Sequence, residues 1–172
     1  MTRKYRDIKS QDIAIMGVLI TEKEWLSQVD ISRELGISQS EVSLGFKALE
    51  KVGLIQVSAK KINRIASKEF IVHAIKYLAP IEKEGMGRGF SAGPSCEFFK
   101  KKVHSEDIYI WPHEIGDSRG IVINSVISKI SDSIVSNKNL YLFLCIVDIF
   151  RGLGGVRHLK EAEKQLERFL DE

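Results

Sequence analysis

The sequence predicts a mainly α-helical chain with a small β component. It divides into three parts: three short helices and a β-hairpin over residues 1–66, a helix and a loop-rich connection over 67–120, and a helical hairpin over 121–172. Three observations carry that prediction. Apolar residues recur every three or four positions through the first third and again near the C-terminus, the period of one helix face. Around residues 54–65 the period falls to two, as in paired strands. From 81 to 120 no period persists and glycines cluster. With 172 residues, 44% hydrophobic and 28% charged, the chain has the material for a real core and does not read as disordered.

Ser10 heads QDIAIMGVLI, an N-cap before an apolar helix that ends near residues 21–23, with Ile13, Met16, Gly17 and Ile20 in step. A second short helix spans residues 27–35, with Val29, Ile31 and Leu35 as inward candidates, and Gly36 suits the left-handed position that closes it. Ser38-Gln-Ser-Glu41 has the pattern of a capping box. The third helix, residues 39–52, carries Val42, Phe46 and Leu49 as its apolar stripe and stops at Gly53. LIQVS then alternates as a strand, and KINRI is its antiparallel partner, with Lys60 and Lys61 at the tip. Three helices and a two-stranded hairpin come in the order of a winged helix-turn-helix. Residues 68–78 form a fourth, amphipathic helix through Phe70, Ile71, Ala74, Ile75 and Leu78, ending before Pro80.

The stretch GMGRGFSAGPS reads as loop, IYIWP as a short strand and HEIGDSRG as a turn. Residues 121–136 alternate between readings, and NSVISKISDSIVS (residues 124–136) fits a short helix slightly better. Residues 140–150 form a buried helix, RGLGG breaks it, and residues 156–170 form a last helix with Val156, Leu159, Leu166, Phe169 and Leu170 inward.

The chemistry concentrates on the third helix. With Val42, Phe46 and Leu49 in the core, the 100° step turns Gln39, Ser40, Ser43 and Lys47 outward. That face is short, polar and nearly free of negative charge, which is what close approach to base edges and phosphates requires. Gln39 can pair with adenine, the serines with several edges, and Leu44 can touch a thymine methyl. Lys47 and Lys51, one turn apart, can reach backbone phosphates. Lys60, Lys61, Asn63 and Arg64 supply a basic wing for the phosphate backbone or the minor groove. Charge agrees in sign: residues 1–66 hold 11 Lys and Arg against 8 Asp and Glu, whereas the other two parts balance. Four of those bases, Arg3, Lys4, Arg6 and Lys9, precede the first helix, and the excess favours a polyanion partner at that end.

Residues 10–66 resemble the winged helix-turn-helix domains of bacterial MarR- and ArsR-like transcriptional regulators. The residues that carry the resemblance are Val29-Asp30-Ile31-Ser32, Leu35-Gly36-Ile37-Ser38, Glu41-Val42-Ser43 and the run from Leu49 to Ile55. The resemblance implies base-proximal contacts from residues 38–47, hence from Ser38, Gln39, Ser40, Ser43, Leu44 and Lys47, and a wing at residues 60–64. It covers about a third of the chain. The remaining two thirds depart from the long terminal dimerisation helices of MarR-like proteins, so neither dimer geometry nor an effector site carries over.

Other features carry less. GMGRG lacks the Gly-Lys-Ser/Thr ending of a phosphate-binding loop. The four histidines are scattered without metal-ligand spacing, although His104, Glu106, Asp107 and His113 lie close in sequence. Cys96 and Cys145 sit far apart in different settings and suggest no disulfide framework, which points to a reducing cytoplasm. No apolar run is long enough to span a bilayer. Asp148 and Arg151 are expected to form a lock between the last two helices, and Trp111 to anchor the loop segment on the core. Together these readings predict a cytoplasmic, non-enzymatic, sequence-specific transcriptional regulator without metal or cofactor. It would be a dimeric repressor on an inverted-repeat site in double-stranded DNA, paired through residues 70–78 and the C-terminal hairpin, with room for a small effector. The alternative is a protein-interaction module or antitoxin-like regulator that acts through a protein partner.

Overall fold

Helix α1 (Ser10–Thr21) is the axis of the molecule, buried from Asp12 to Thr21. A helix apolar on every side needs neighbours on every side. It has α2 (Gln28–Leu35) and α3 (Gln39–Lys51) against it, with α8 (Lys138–Phe150) and α9 (Val156–Asp171) closing the remainder. The computed structural model describes residues 5–171, so Arg3 and Lys4 lie outside the described residues. The architecture is mainly helical with a small β component. A single buried apolar cluster runs from Ile13 to Leu170 and draws on all three segments of the chain.

Local chemistry sets the helix ends. Ser10 is already helical rather than a cap; the Asp12 carboxylate accepts the Lys9 amide at 2.8 Å and closes the first turn instead. Ser27 and Ser38 cap α2 and α3 by accepting from Asp30 N and Glu41 N. The capping box at Ser38 is only half made, because the Glu41 side chain bonds Gln11 instead of turning back. Gly36, at φ 66°, takes the left-handed turn between the two helices. Val29, expected inward, is 38% exposed, while Ile31 and Leu35 are buried.

The hairpin is shorter than the alternation suggested: β1 (Ile55–Gln56) and β2 (Lys61–Ile62) pair Ile55 with Ile62 and Gln56 with Lys61. The fourth helix begins earlier than expected. Asn63 caps it by accepting from Ala66 N at 3.1 Å, and it runs as α4 (Arg64–Glu69), a π-helical turn (Phe70–Ala74) and α5 (Ile75–Leu78). Lys68 ties this rod to α9 through Glu163 and Glu167.

The region read as loop holds a closed sheet. Strand β3 (Lys83–Ser91) pairs antiparallel with β4 (Tyr109–Pro112) and with β5 (Ser118–Ile123), and β4 runs parallel to β5, so each strand bonds the other two. A ring of three strands forces backbones closer than side chains allow. A Cβ on Gly89 would overlap the Trp111 carbonyl, and one on Gly116 would overlap the Gly89 backbone. The glycines that mimic a loop in the sequence are thus what permits the strands to close. A 3₁₀ turn (Gly93–Ser95) and α6 (Glu97–Lys100) link β3 to the core.

Residues 124–131 are irregular, pinned by buried Val126, Ile127 and Ile130, and only α7 (Asp132–Ser136) is helical in the stretch read as helix. In α9 the buried residues are His158, Ala162, Leu166, Phe169 and Leu170, whereas Val156 and Leu159 face outward. Helix α8 is covered on nearly every side, so the C-terminal hairpin serves this chain's own core. Among the described residues no helix is long and apolar enough to cross a membrane.

Candidate nucleic-acid interface

Packing decides which face of α3 is free. Val42, Gly45, Phe46, Ala48 and Leu49 are buried against α1 and α2, with Trp25 meeting Phe46 edge-on at 5.8 Å. That leaves Gln39, Ser40, Leu44, Lys47, Glu50 and Lys51 exposed and Ser43 half-buried. Both acids of this helix are held by the chain itself: Glu41 takes the Gln11 amide, and Glu50 accepts the Val57 amide of the hairpin at 2.9 Å. The helix therefore offers amide, hydroxyl and ammonium groups, with its carboxylates occupied elsewhere.

Near the start of α3 the Ser38 and Ser40 hydroxyls lie 3.0 Å apart. Lys51 meets Asp7 at 3.3 Å in a solvated pair of the kind that contributes little, about 0–1 kcal/mol. Lys47 forms no ion pair among the described residues.

Among the described basic residues ahead of α1, Arg6 is not free for an outside partner. Arg6 grips buried Asp12 with both terminal nitrogens, at 2.6 and 2.8 Å, and that hydrogen bonding raises the guanidinium above its ordinary pKa. Its charge is spent on seating α1. Lys60 and Lys61 do lie at the exposed hairpin end, with Lys60 held at φ 50°. Asn63 and Arg64 lie past the hairpin, Asn63 as the cap of α4 and Arg64 as its exposed first residue, beside Lys60 and Lys61. The sequence signal for this was present, since an Asn before a helix-forming run is a capping signature.

The other features singled out from the sequence resolve into structure. Asp148 and Arg151 are fully buried and paired at 2.7 Å. The lock they form does not join the last two helices, and Arg157 is exposed. Arg151 instead donates to the carbonyls of Ala79, Pro80 and Asn124, while Trp111 Nε1 donates to Asp148 at 2.9 Å. Burial pushes the Asp148 carboxyl up to about 6 against the pull of Arg151. Trp111 anchors the closed sheet to α8, edge-on to Tyr141 at 5.3 Å.

Cys96 and Cys145, distant in sequence, are brought together as free buried thiols. Hydrogen bonding to Cys145 and to α6 amides lowers the Cys96 pKa, and burial raises that of Cys145. Among the described residues no three of His, Cys, Asp or Glu gather as metal ligands. His113 packs against Phe90, away from any such grouping.

In comparisons with known proteins, no family model, no curated protein and no solved structure matches the chain.

Proposed function

We propose that the protein is a sequence-specific DNA-binding transcriptional regulator, a homodimeric repressor of the winged helix-turn-helix type. The outer face of α3 carries this reading. It is exposed, presents Gln39, Ser40, Ser43, Leu44, Lys47 and Lys51, and has both of its acids held in internal hydrogen bonds. A helix presented in this way suits the major groove, with its N-terminal residues at base edges and its lysines on phosphate. The hairpin adds Lys60 and Lys61 as phosphate contacts, and Arg64 joins them from the start of α4.

The test is binding of purified protein to DNA upstream of its own gene, with unrelated DNA as competitor, across a salt series. Selective binding that weakens steeply with salt supports the reading. The joint change of Lys60 and Lys61 to Gln removes four lysines from the dimer, so it should weaken binding to all sequences and flatten the salt slope by about four. Gln39→Ala should erode the preference for the operator. An equal loss on every DNA would sink its role at a base edge.

A second reading, a protein-interaction module, is favoured by one observation: Ile65 and Tyr77, on the α4–α5 rod, are 84% and 79% exposed. The same surface is the dimerisation candidate of the first reading, since α8 is used internally. Salt separates the two readings, because apolar docking is insensitive to it.

A further inference from the structure

We infer that the cleft beneath the hairpin binds a small amphipathic monoanion, a fatty-acid-type carboxylate, and that this ligand competes with nucleic acid for Lys60, Lys61 and Arg64. Only the competition rests on the DNA-binding reading.

The cleft, about 750 Å³, lies between the end of α1, residues 22–25, β2, the start of α4 and the end of α9. That volume falls in the range of small-molecule sites. Polar and apolar groups share its lining, and the apolar part, its floor, is formed by Leu19, Ile62 and Phe169 beside half-buried Trp25. Its rim holds four cations, Lys23, Lys60, Lys61 and Arg64, none of which forms an ion pair among the described residues. Two acids also line it, Glu22 and Glu24, and Glu22 is turned to the Asn137 amide at 3.0 Å. The rim therefore carries four cations against two acids, a net positive charge, beside apolar side chains that gain by covering.

Lys60 adds an independent sign. It holds φ 50°, a conformation a non-glycine residue adopts only at some cost, in a turn that glycine would accept freely. Strain of this sort collects at ligand clamps. A carboxylate head among the cations with an alkyl tail on the floor satisfies both surfaces at once. A bare phosphate leaves the floor uncovered, and a neutral lipid leaves the cations unmatched.

The experiment is a titration of Trp25 fluorescence with octanoate, using 1-octanol as the uncharged match. Trp111 is wholly buried elsewhere, so Trp25→Phe serves as the control that removes the signal. The expected result is a saturable change with octanoate, at least tenfold weaker with octanol and in the Lys61→Gln, Arg64→Gln double variant. No response to octanoate, equal responses to acid and alcohol, or undiminished affinity in the double variant overturns the site. Saturating octanoate should also weaken DNA binding. Unchanged DNA affinity, or no DNA affinity to begin with, removes the competition and leaves the fluorescence result to decide the site.

Discussion

The β1–β2 hairpin and the closed β3–β5 sheet are built from opposite materials. The hairpin is two residues a side, ends in lysines, and holds Lys60 where glycine would fit better. The sheet places glycine wherever its backbones touch and buries Tyr109, Ile110 and Trp111. In the first, a side chain is retained at the expense of backbone comfort. In the second, side chains are given up so that the backbone can close. Under the proposed function, the difference separates a surface kept for an outside contact from one shaped for the protein's own stability.

The largest effect should therefore come from the sheet. In Gly89→Val the new side chain meets the Trp111 carbonyl, which is backbone and cannot rotate away. Closure fails, with a loss of about 3 kcal/mol or more. Thermal unfolding followed by circular dichroism should show a collapsed or absent transition. A normal melting temperature would show that the ring is not closed in solution.

Next comes the lock that fastens the sheet to α8. Arg151→Met strips Asp148 of its counter-charge and leaves the Ala79 and Asn124 carbonyls without their donor, while Pro80 keeps the Asn124 amide, a loss of about 3–5 kcal/mol in urea unfolding. Asp148 itself gives the lock a pH signature. Its folded pKa, about 6, lies above its ordinary 3.8, so the folded state holds the proton more tightly. The resulting stabilisation is complete below pH 4 and disappears as pH climbs through 6. Between pH 4 and 6.5 wild type should thus lose about 2 kcal/mol relative to Asp148→Asn. A difference that stays flat with pH would place the titration elsewhere.

The same contrast explains what could be read from the sequence. Helices α2 and α3 were legible because their ends and apolar stripes are local: Gly36, Ser38, Val42, Phe46 and Leu49 stand where the pattern puts them, whereas the cap expected at Ser10 falls one residue earlier. The closed sheet was not, because its glycines answer to partners far along the chain, such as Gly116 against Gly89, 27 residues away. The partners of Arg151 were hidden for the same reason, since Ala79 and Asn124 are joined to it only by the fold. On the candidate interface, the outward face of α3 came from periodicity. The retirement of Arg6 by Asp12, of Asn63 by α4 and of Glu50 by the Val57 amide required three dimensions.

The smallest expected effect is also the sharpest test of the contrast. Lys60→Gly relieves the left-handed strain at the hairpin end while loosening the unfolded chain, two changes of opposite sign and about 1 kcal/mol each. Stability should therefore move little, between no change and a gain of about 1 kcal/mol in urea unfolding. Binding should move the other way, with weaker affinity for DNA at low salt and for octanoate, because one rim cation is gone. That pairing, a fold that tolerates or welcomes glycine and a ligand that does not, is what a residue kept for contact predicts. If Lys60→Gly instead destabilised the protein with binding intact, the lysine would be a structural element like Gly89, and the hairpin would lose its claim to a separate role.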